Sequence, residues 1–392
     1  MIITHNVRAA LSGAVLLVFV AAGCASPGGE AEWPQAVSVP SAEVAVEGME
    51  APVRLGGYGS ALAFSAQDST FWLLTDRGPN VDGAEADTKV FPLPDYVPQV
   101  GVFRYEGDSL RSVRRILLFD KQGRRFCGLP NETGEGQTGE SALGLGGNVL
   151  HAGQRRGIDP EGLALMPDGT FWVSDEYGPF LMHFSAEGRC MQVRSPFNGG
   201  LPAVYARRRP NRGMEGLCAN RAGTLLYGIL QSPLLDAAGY ASPDELPLCV
   251  VPLPGGDVRE YLYPLDAGAE GVSALACVDD STLLALERDG AFPDEGRGLK
   301  RIYRVRLPQA VPGRPVRVRK ELELDLLQAV PGYAHDKAEG LALVGDSILV
   351  VANDDDFGLA AGDDDAPCRP KLNPSGQVDF NELVFVRHRV LP

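Results

Sequence analysis

Carboxylates recur at matching points along this sequence. Glu161, Glu215, Glu270 and Glu339 are each followed by a glycine and an apolar run. Each run meets a polar turn, such as Pro167-Asp168-Gly169 or Gly345-Asp346, and then a second apolar run. The second runs end in Asp175-Glu176, in Gln231, in Glu287-Arg288-Asp289 and in Asn353-Asp354. A further copy begins at Gly59-Ser60-Ala61-Leu62 and ends in Asp76-Arg77. Two apolar runs about a tight turn read as a β-hairpin, and a hairpin returns to the end where it began. The leading glutamates and the trailing polar residues therefore share one end of each copy.

Radial arrangement of the copies would bring these ends to one channel mouth. Carboxylates gathered there repel one another and resist desolvation, and a hard cation between them relieves both. Oxygen ligands without clustered Cys or His select calcium or magnesium, and a wide ligand set favours calcium. Glu161, Glu215, Glu270 and Glu339 are the expected metal ligands, with calcium as the expected cofactor. Asp175, Glu176 and Glu287 are the candidate catalytic acids, with Asp175 or Glu176 as general base. Arg77, Arg212 and Arg288, together with Gln231, are candidates to hold a small anionic substrate, because guanidinium forks pair with phosphate or carboxylate. The competing reading is structural: the arginines pair with the acids, and each glutamate bonds backbone N–H groups at a strand start.

The elements that must position these residues are strands. After residue 25 no amphipathic helical period is evident, and 47 Gly and 30 Pro suit many short strands joined by turns. Successive glutamates from Glu161 to Glu339 stand 54, 55 and 69 residues apart, which leaves room for two more strands after each hairpin. The expected fold is all-β, a β-propeller of four-stranded antiparallel blades. Five repeats are clear. The chain has room for a sixth blade, since Gly59 and Glu161 stand 102 residues apart. Residues 120–158, rich in Gly and polar side chains, read as a mobile lid or a surface loop on the acidic face. Residues 36–46 are expected to pair with the last blade and cover otherwise exposed sheet edges.

The formal net charge of −15 argues against nucleic acid as a partner, which needs clustered Lys and Arg. The sequence opens on an export segment: Arg8, an apolar run over 11–20 too short for a comfortable membrane span, and Ala21-Ala22-Gly23-Cys24. Small residues before Gly-Cys look like a bacterial lipobox, whose cysteine carries the lipid. We expect a signal peptide over 1–24, a polar tether over 25–35 and a single domain over 36–392. The product would be a monomeric, membrane-anchored lipoprotein at the periplasmic or outer-membrane face of the cell envelope. An ordinary secretory signal is the alternative. The other six cysteines form no CxxC or Cys/His cluster, so zinc is not indicated. Their pairing is open, although Cys218 and Cys277 lie in apolar runs that suit buried free thiols.

Four groups of residues carry a family resemblance. They are Asp159-Pro160-Glu161-Gly162 with Trp172-Val173-Ser174-Asp175-Glu176-Tyr177, and Asn211-Arg212-Gly213-Met214-Glu215-Gly216-Leu217 with Leu230-Gln231-Ser232-Pro233. The others are Leu286-Glu287-Arg288-Asp289-Gly290 with Lys300-Arg301-Ile302-Tyr303, and Lys337-Ala338-Glu339-Gly340-Leu341. In order and spacing these resemble the bacterial phytase-like family, described as "esterase-like activity of phytase". The resemblance covers about residues 50–388 and implies an exported β-propeller. No catalytic set carries over with it. Residues and resemblance together predict a calcium-dependent hydrolase of phosphate esters or other anionic esters. The alternative is a non-catalytic, membrane-tethered propeller that binds a ligand or a partner protein.

Overall fold

The computed structural model describes residues 33–236, 244–293, 298–363 and 366–390. The expected signal peptide, with Cys24, and most of the tether lie outside the described residues. Apolar runs form strands in which both faces are covered: every residue of Phe171–Asp175 and of Ile348–Asp354 is buried. Such strands lack the in–out alternation of a sheet with one wet face.

Sheet I contains Ala61–Ser65, Thr70–Leu74, Gln99–Glu106 and Ser109–Leu117 in that order. Sheet II contains Pro160–Leu165, Phe171–Asp175, Phe180–Phe184 and Cys190–Arg194. Sheet III contains Met214–Ala219, Leu225–Leu230, Glu245–Pro252 and Arg259–Pro264, with Val316–Arg317 added in parallel at its edge. Sheet IV contains Gly271–Asp279, Thr282–Arg288, Lys300–Arg306 and Arg319–Asp325. Sheet V contains Lys337–Val344, Ile348–Asp354 and Glu382–Arg387, and its outer strand is Ala36–Ser38 from the other end of the chain. That pairing, with Ala36 opposite Val384, is the one expected of the N-terminal segment. It covers an edge of Glu382–Arg387 that would otherwise offer unpaired backbone groups.

The first strands of the sheets touch one another in the order I, II, III, IV, V and back to I. The core lies between neighbouring sheets. Leu74 and Val100 of sheet I pack with Phe171, Val173 and Phe180 of sheet II, and Leu284 and Leu286 of sheet IV pack with Leu349 and Val351 of sheet V. The long gap before Glu161 holds sheet I and extended connections. Helix is confined to one α-helical turn, Leu326–Ala329, and short 3-10 turns among the described residues. None of these helices is long and apolar enough to cross a membrane. Residues 34–392 form one unit.

Long connections form a second layer over the end where the hairpins open. Val81–Asp82, Thr88–Val90 and Ser141–Leu143 make one small sheet, and Leu359–Ala361 pairs with Cys368–Pro370. Val53, Val81, Val90, Phe357 and Leu359 pack together beneath them. The Gly-rich segment 120–158 is folded into this layer. The Cys127 N–H donates to the Arg156 carbonyl at 3.2 Å, and Asn131 bonds Gly157 through both its side-chain amide atoms. The six cysteines after Cys24 are all free, and Cys218 is buried while Cys277 is half-buried.

Candidate functional site

A β-bulge in the first strand builds the site. In sheet II the pairing skips from Pro160 to Gly162, which leaves Glu161 unpaired on the bulge. In sheet V it skips from Ala338 to Gly340 and frees Glu339. In sheet III the irregularity spans Glu215 and Gly216. A bulge bends its strand and re-aims the extra side chain, here toward the centre. The following glycine is required by close approach: a Cβ on Gly162 would stand 2.4 Å from the Glu215 carbonyl oxygen, and one on Gly340 would stand 2.7 Å from the Leu62 Cβ.

The bulges correct the expected alignment of the repeats. In sheet IV the skip runs from Val272 to Ala274, so Ser273 is the counterpart of Glu161. Ser273-Ala274-Leu275-Ala276 matches Glu161-Gly162-Leu163-Ala164, as does Ser60-Ala61-Leu62-Ala63. Glu270 lies three residues earlier, where it is exposed at the rim. The centre therefore holds three buried glutamates and two buried serines. The leucine two residues after each bulge was the available signal.

The second strands add another ring. Asp76, Glu176, Gln231, Arg288 and Asp354 all line one cavity of about 500 Å³. Glu176 and Gln231 stand one residue beyond the last paired position and Asp76 two beyond, whereas Arg288 and Asp354 are the last paired residues themselves; the pleat turns a neighbouring residue the other way. This corrects the placement of two candidate catalytic acids. Asp175 is fully buried off the cavity, where its Oδ1 accepts the backbone N–H groups of Asp159 and Tyr177 at 2.9 and 3.1 Å. Glu287 also lies away from the cavity. It accepts from Tyr263 and the Asp266 N–H, and pairs with Lys320.

The cavity wall carries eleven carboxylates and six cations. Most of the cations are already paired. Arg77 contacts Glu140 at 3.1 Å and Asp159 at 3.5 Å, Arg288 pairs with Glu339, and Lys89 pairs with Asp82. Lys337 reaches Asp354 at 3.5 Å and Asp356 at 2.5 Å, and Lys371 joins Asp336 and Asp356 at 2.8 and 2.7 Å. Arg212 lines the cavity without an ion pair among the described residues. Of the expected anion-binding residues, Arg77, Arg212, Arg288 and Gln231 all reach the wall, and Arg212 alone among the three arginines is unpaired. Asp159, Asp336, Asp356 and Lys371 were not expected there. Asp159 was legible, because a residue two before Glu161 lies near the same strand end. Lys371 comes from a distant connection and left no local signal.

One part of the wall has more acids than bases. Oxygens of Asp159, Glu161 and Glu176 lie within 4.8 Å of one another. Glu161 and Glu176 have no basic partner within ion-pair distance among the described residues. Glu215 accepts from Gln231 Nε2 at 2.9 Å, but its Oε2 and the Gln231 Oε1 are buried and unpaired. Burial pushes the Glu161 carboxyl well up, reinforced by Glu215, Asp159, Glu339 and Glu176. Burial and then Asp159 push Glu176 up to about 8, and burial with Glu176 and Glu339 raises Glu215. Asp356 behaves oppositely: burial alone would raise it, yet Lys337 and Lys371 hold it well down. The cavity thus has a neutralised side and an acid-rich side whose carboxylates Arg77 and Arg212 offset only in part.

Fold and site together define an all-β, propeller-like protein with a carboxylate-lined central cavity. Residues 53–357 match the phytase-like family described as esterase-like activity of phytase, and the chain belongs to that family. An uncharacterized secreted protein of Arthroderma benhamiae is 29% identical over 236 residues, which are 47% of this chain and 46% of that protein. The chain thus matches about half the length of this relative. Among solved structures, a putative oxidoreductase (glucose dehydrogenase) from Thermus thermophilus aligns over 85% of this chain and 86% of its own, at 18% identity and a TM-score of 0.38. The calcium-binding protein regucalcin from Agrobacterium tumefaciens aligns over 86% of this chain and 93% of its own, at 12% identity and a TM-score of 0.39.

Proposed function

We propose that this chain is an exported, five-bladed phytase-like propeller that hydrolyses phosphate esters or other anionic esters with the help of calcium. Sheets I to V are its blades, and Ala36–Ser38 closes the ring. The observation that carries the reading is the convergence of Asp159, Glu161 and Glu176 within 4.8 Å in a buried wall where, among the described residues, the last two have no base within ion-pair distance. Oxygen-only donors in such number suit a hard divalent cation, and the unpaired Glu215 Oε2 and Gln231 Oε1 extend the donor set. Asp159, Glu161 and Glu176 would hold the ion, with Glu215 and Gln231 beside it. A bound cation supplies Lewis acidity to an ester oxygen and lowers the pKa of a water.

The chain's own residues would do the rest. Arg212 faces the cavity as an unpaired fork and would orient the substrate anion. Arg288, tied to Glu339, and Arg77, tied to Asp159 and Glu140, would hold the wall acids in place. Glu176, at the strand end beside Asp159 and Glu161, would hold the ion and orient the water bound to it. The cap formed by Val81, Leu359, Ala360 and Ala361 would limit water access to the bound ester.

The secreted relative and the lipobox-like Ala21-Ala22-Gly23-Cys24 support export, with Cys24 as the lipid-bearing residue of a bacterial lipoprotein. The dense ion pairing around Lys337, Lys371 and Arg288 favours a second reading, a propeller that binds a ligand without turning it over. The deciding experiment is an assay of the purified protein on phytate, aryl phosphates and aryl carboxylates, with calcium and with chelator. Calcium-dependent turnover that disappears in the Glu161→Gln, Glu176→Gln double variant supports the hydrolase. Calcium binding without turnover on any of these esters supports the second reading and removes the first.

A further inference from the structure

The chain is strongly acidic, yet one edge of the molecule is basic. Residues 104–125 contain seven Lys and Arg against three Asp and Glu, within a protein of net charge −15. This stretch is the outer part of sheet I and the turn that follows it. In the outer strand Ser109–Leu117, Val113 sits on a bulge and is 50% exposed, and Arg114 and Arg115 beside it are exposed. Arg114 donates to the Ala186 carbonyl of the adjoining hairpin in sheet II. Phe119 bridges to both Arg125 and Arg189, which joins that hairpin to the basic turn. Arg114, Arg115, Lys121, Arg125 and Arg189 make no ion pair among the described residues, and all five are exposed.

Edge protection explains part of this pattern. Charges on an outer strand discourage pairing with another sheet. That device needs charge on the strand only, and it does not account for Lys121, Arg125 and Arg189, which lie off it. It also does not account for an excess of positive charge here in a protein of net charge −15.

Position supplies the partner. Ala36–Ser38, through which the chain enters the fold, touches Ser109–Leu117. Cys24 precedes Pro34 by ten residues, which can reach at most about 35 Å when fully extended. A lipid on Cys24 would therefore hold this edge, rather than a remote one, near the bilayer. We propose that the basic edge of sheet I is a membrane-facing surface that takes anionic phospholipid headgroups. The orientation rests on the lipid anchoring proposed above; the preference for anionic lipid rests on the charges alone. Each Lys or Arg near an anionic surface contributes about 1 kcal/mol, so two or more engaged together give a preference of about tenfold or more.

The test uses the full chain purified from membranes, and vesicles of phosphatidylcholine alone or mixed with phosphatidylglycerol. The expected result at low salt is about tenfold stronger partition to the anionic vesicles, lost in Arg115→Glu, Arg125→Glu, Arg189→Glu protein. A control reversal at exposed Arg314 and Arg319 of the sheet III–IV region should leave the preference intact. Unchanged melting temperature shows that the variants are folded. Equal partition of the wild type between the two vesicles, or equal loss in the control, overturns the proposal. So does release by duplex DNA at matched phosphate, which would make the edge a general polyanion surface. The mass of the N-terminal peptide reports the lipid separately. An unlipidated chain that still prefers anionic vesicles sustains this surface while overturning the anchor.

Discussion

Glu176→Gln tests the acid-rich side of the cavity without altering its shape. Burial and Asp159 move the Glu176 carboxyl from an ordinary 4.5 to about 8. An acid whose pKa is raised on folding favours the folded state less as it ionises. Its penalty is absent below pH 4.5, grows as pH rises, and is complete above the folded value of about 8. At 1.36 kcal/mol per unit, the cation-free protein carries about 3 kcal/mol of destabilisation at pH 7 and about 5 kcal/mol at pH 9. The neutral amide removes that penalty. For a domain of this size about 3 kcal/mol corresponds to a melting temperature higher by about 4 °C at pH 7, measured by calorimetry in chelator. The gain should grow at pH 9. Calcium should reverse the ranking, since the wild type gains a ligand-bound state and the variant loses a ligand oxygen. A variant that melts lower than wild type in chelator, or that keeps the full calcium increment, would refute the raised-carboxylate reasoning.

Other outcomes follow from the same geometry. Calcium at one hundred times its Kd should stabilise the wild type by about 2.7 kcal/mol, reversibly with chelator and more than magnesium does; a flat thermal shift counts against the ion. Asp175→Ala orphans the backbone N–H groups of Asp159 and Tyr177, so stability should fall by about 1–3 kcal/mol in denaturant titration. Gly340→Ala forces a Cβ to 2.7 Å from the Leu62 Cβ and 2.9 Å from the Ala352 Cβ, and should cost about 1–3 kcal/mol while weakening calcium binding. His335, held between Asp379 and Glu382, is raised to about 9 despite burial, which acts against its charge. Its contribution is complete below about pH 6.5 and is lost as pH rises through 9, so His335→Gln should flatten the fall in unfolding free energy over that interval. Arg212→Ala should raise KM for an anionic ester with little change in melting temperature.

Much of the architecture was legible because strands and hairpins are local. The apolar runs around polar turns correspond to the hairpins of sheets I to V, and residues 36–38 pair with the last strand as the need to cover an edge suggested. The convergence of Glu161, Glu215 and Glu339 followed from hairpin geometry alone. Glu270 did not, because the eye reads Glu-Gly while the backbone reads register. One bulge decides which residue turns inward, and in sheet IV it falls on Ser273. Asp175 and Glu287 failed for a related reason: adjacent residues on a strand face opposite sides, and sequence alone does not say which of two neighbouring acids is turned in.

What the sequence determined by itself is the inventory: repeated hairpins, acids at their open ends, arginines among them, and the stretch Ala21-Ala22-Gly23-Cys24. Tertiary structure decided which charges meet. Lys371 and Asp356 come from a connection far from Glu161 in the chain, yet they neutralise one side of the cavity and leave Asp159, Glu161 and Glu176 to face each other on the other. Ion pairing depends on distances of a few ångströms between segments separated by up to hundreds of residues. No local pattern records those distances, and they separate a paired wall from an acid-rich one.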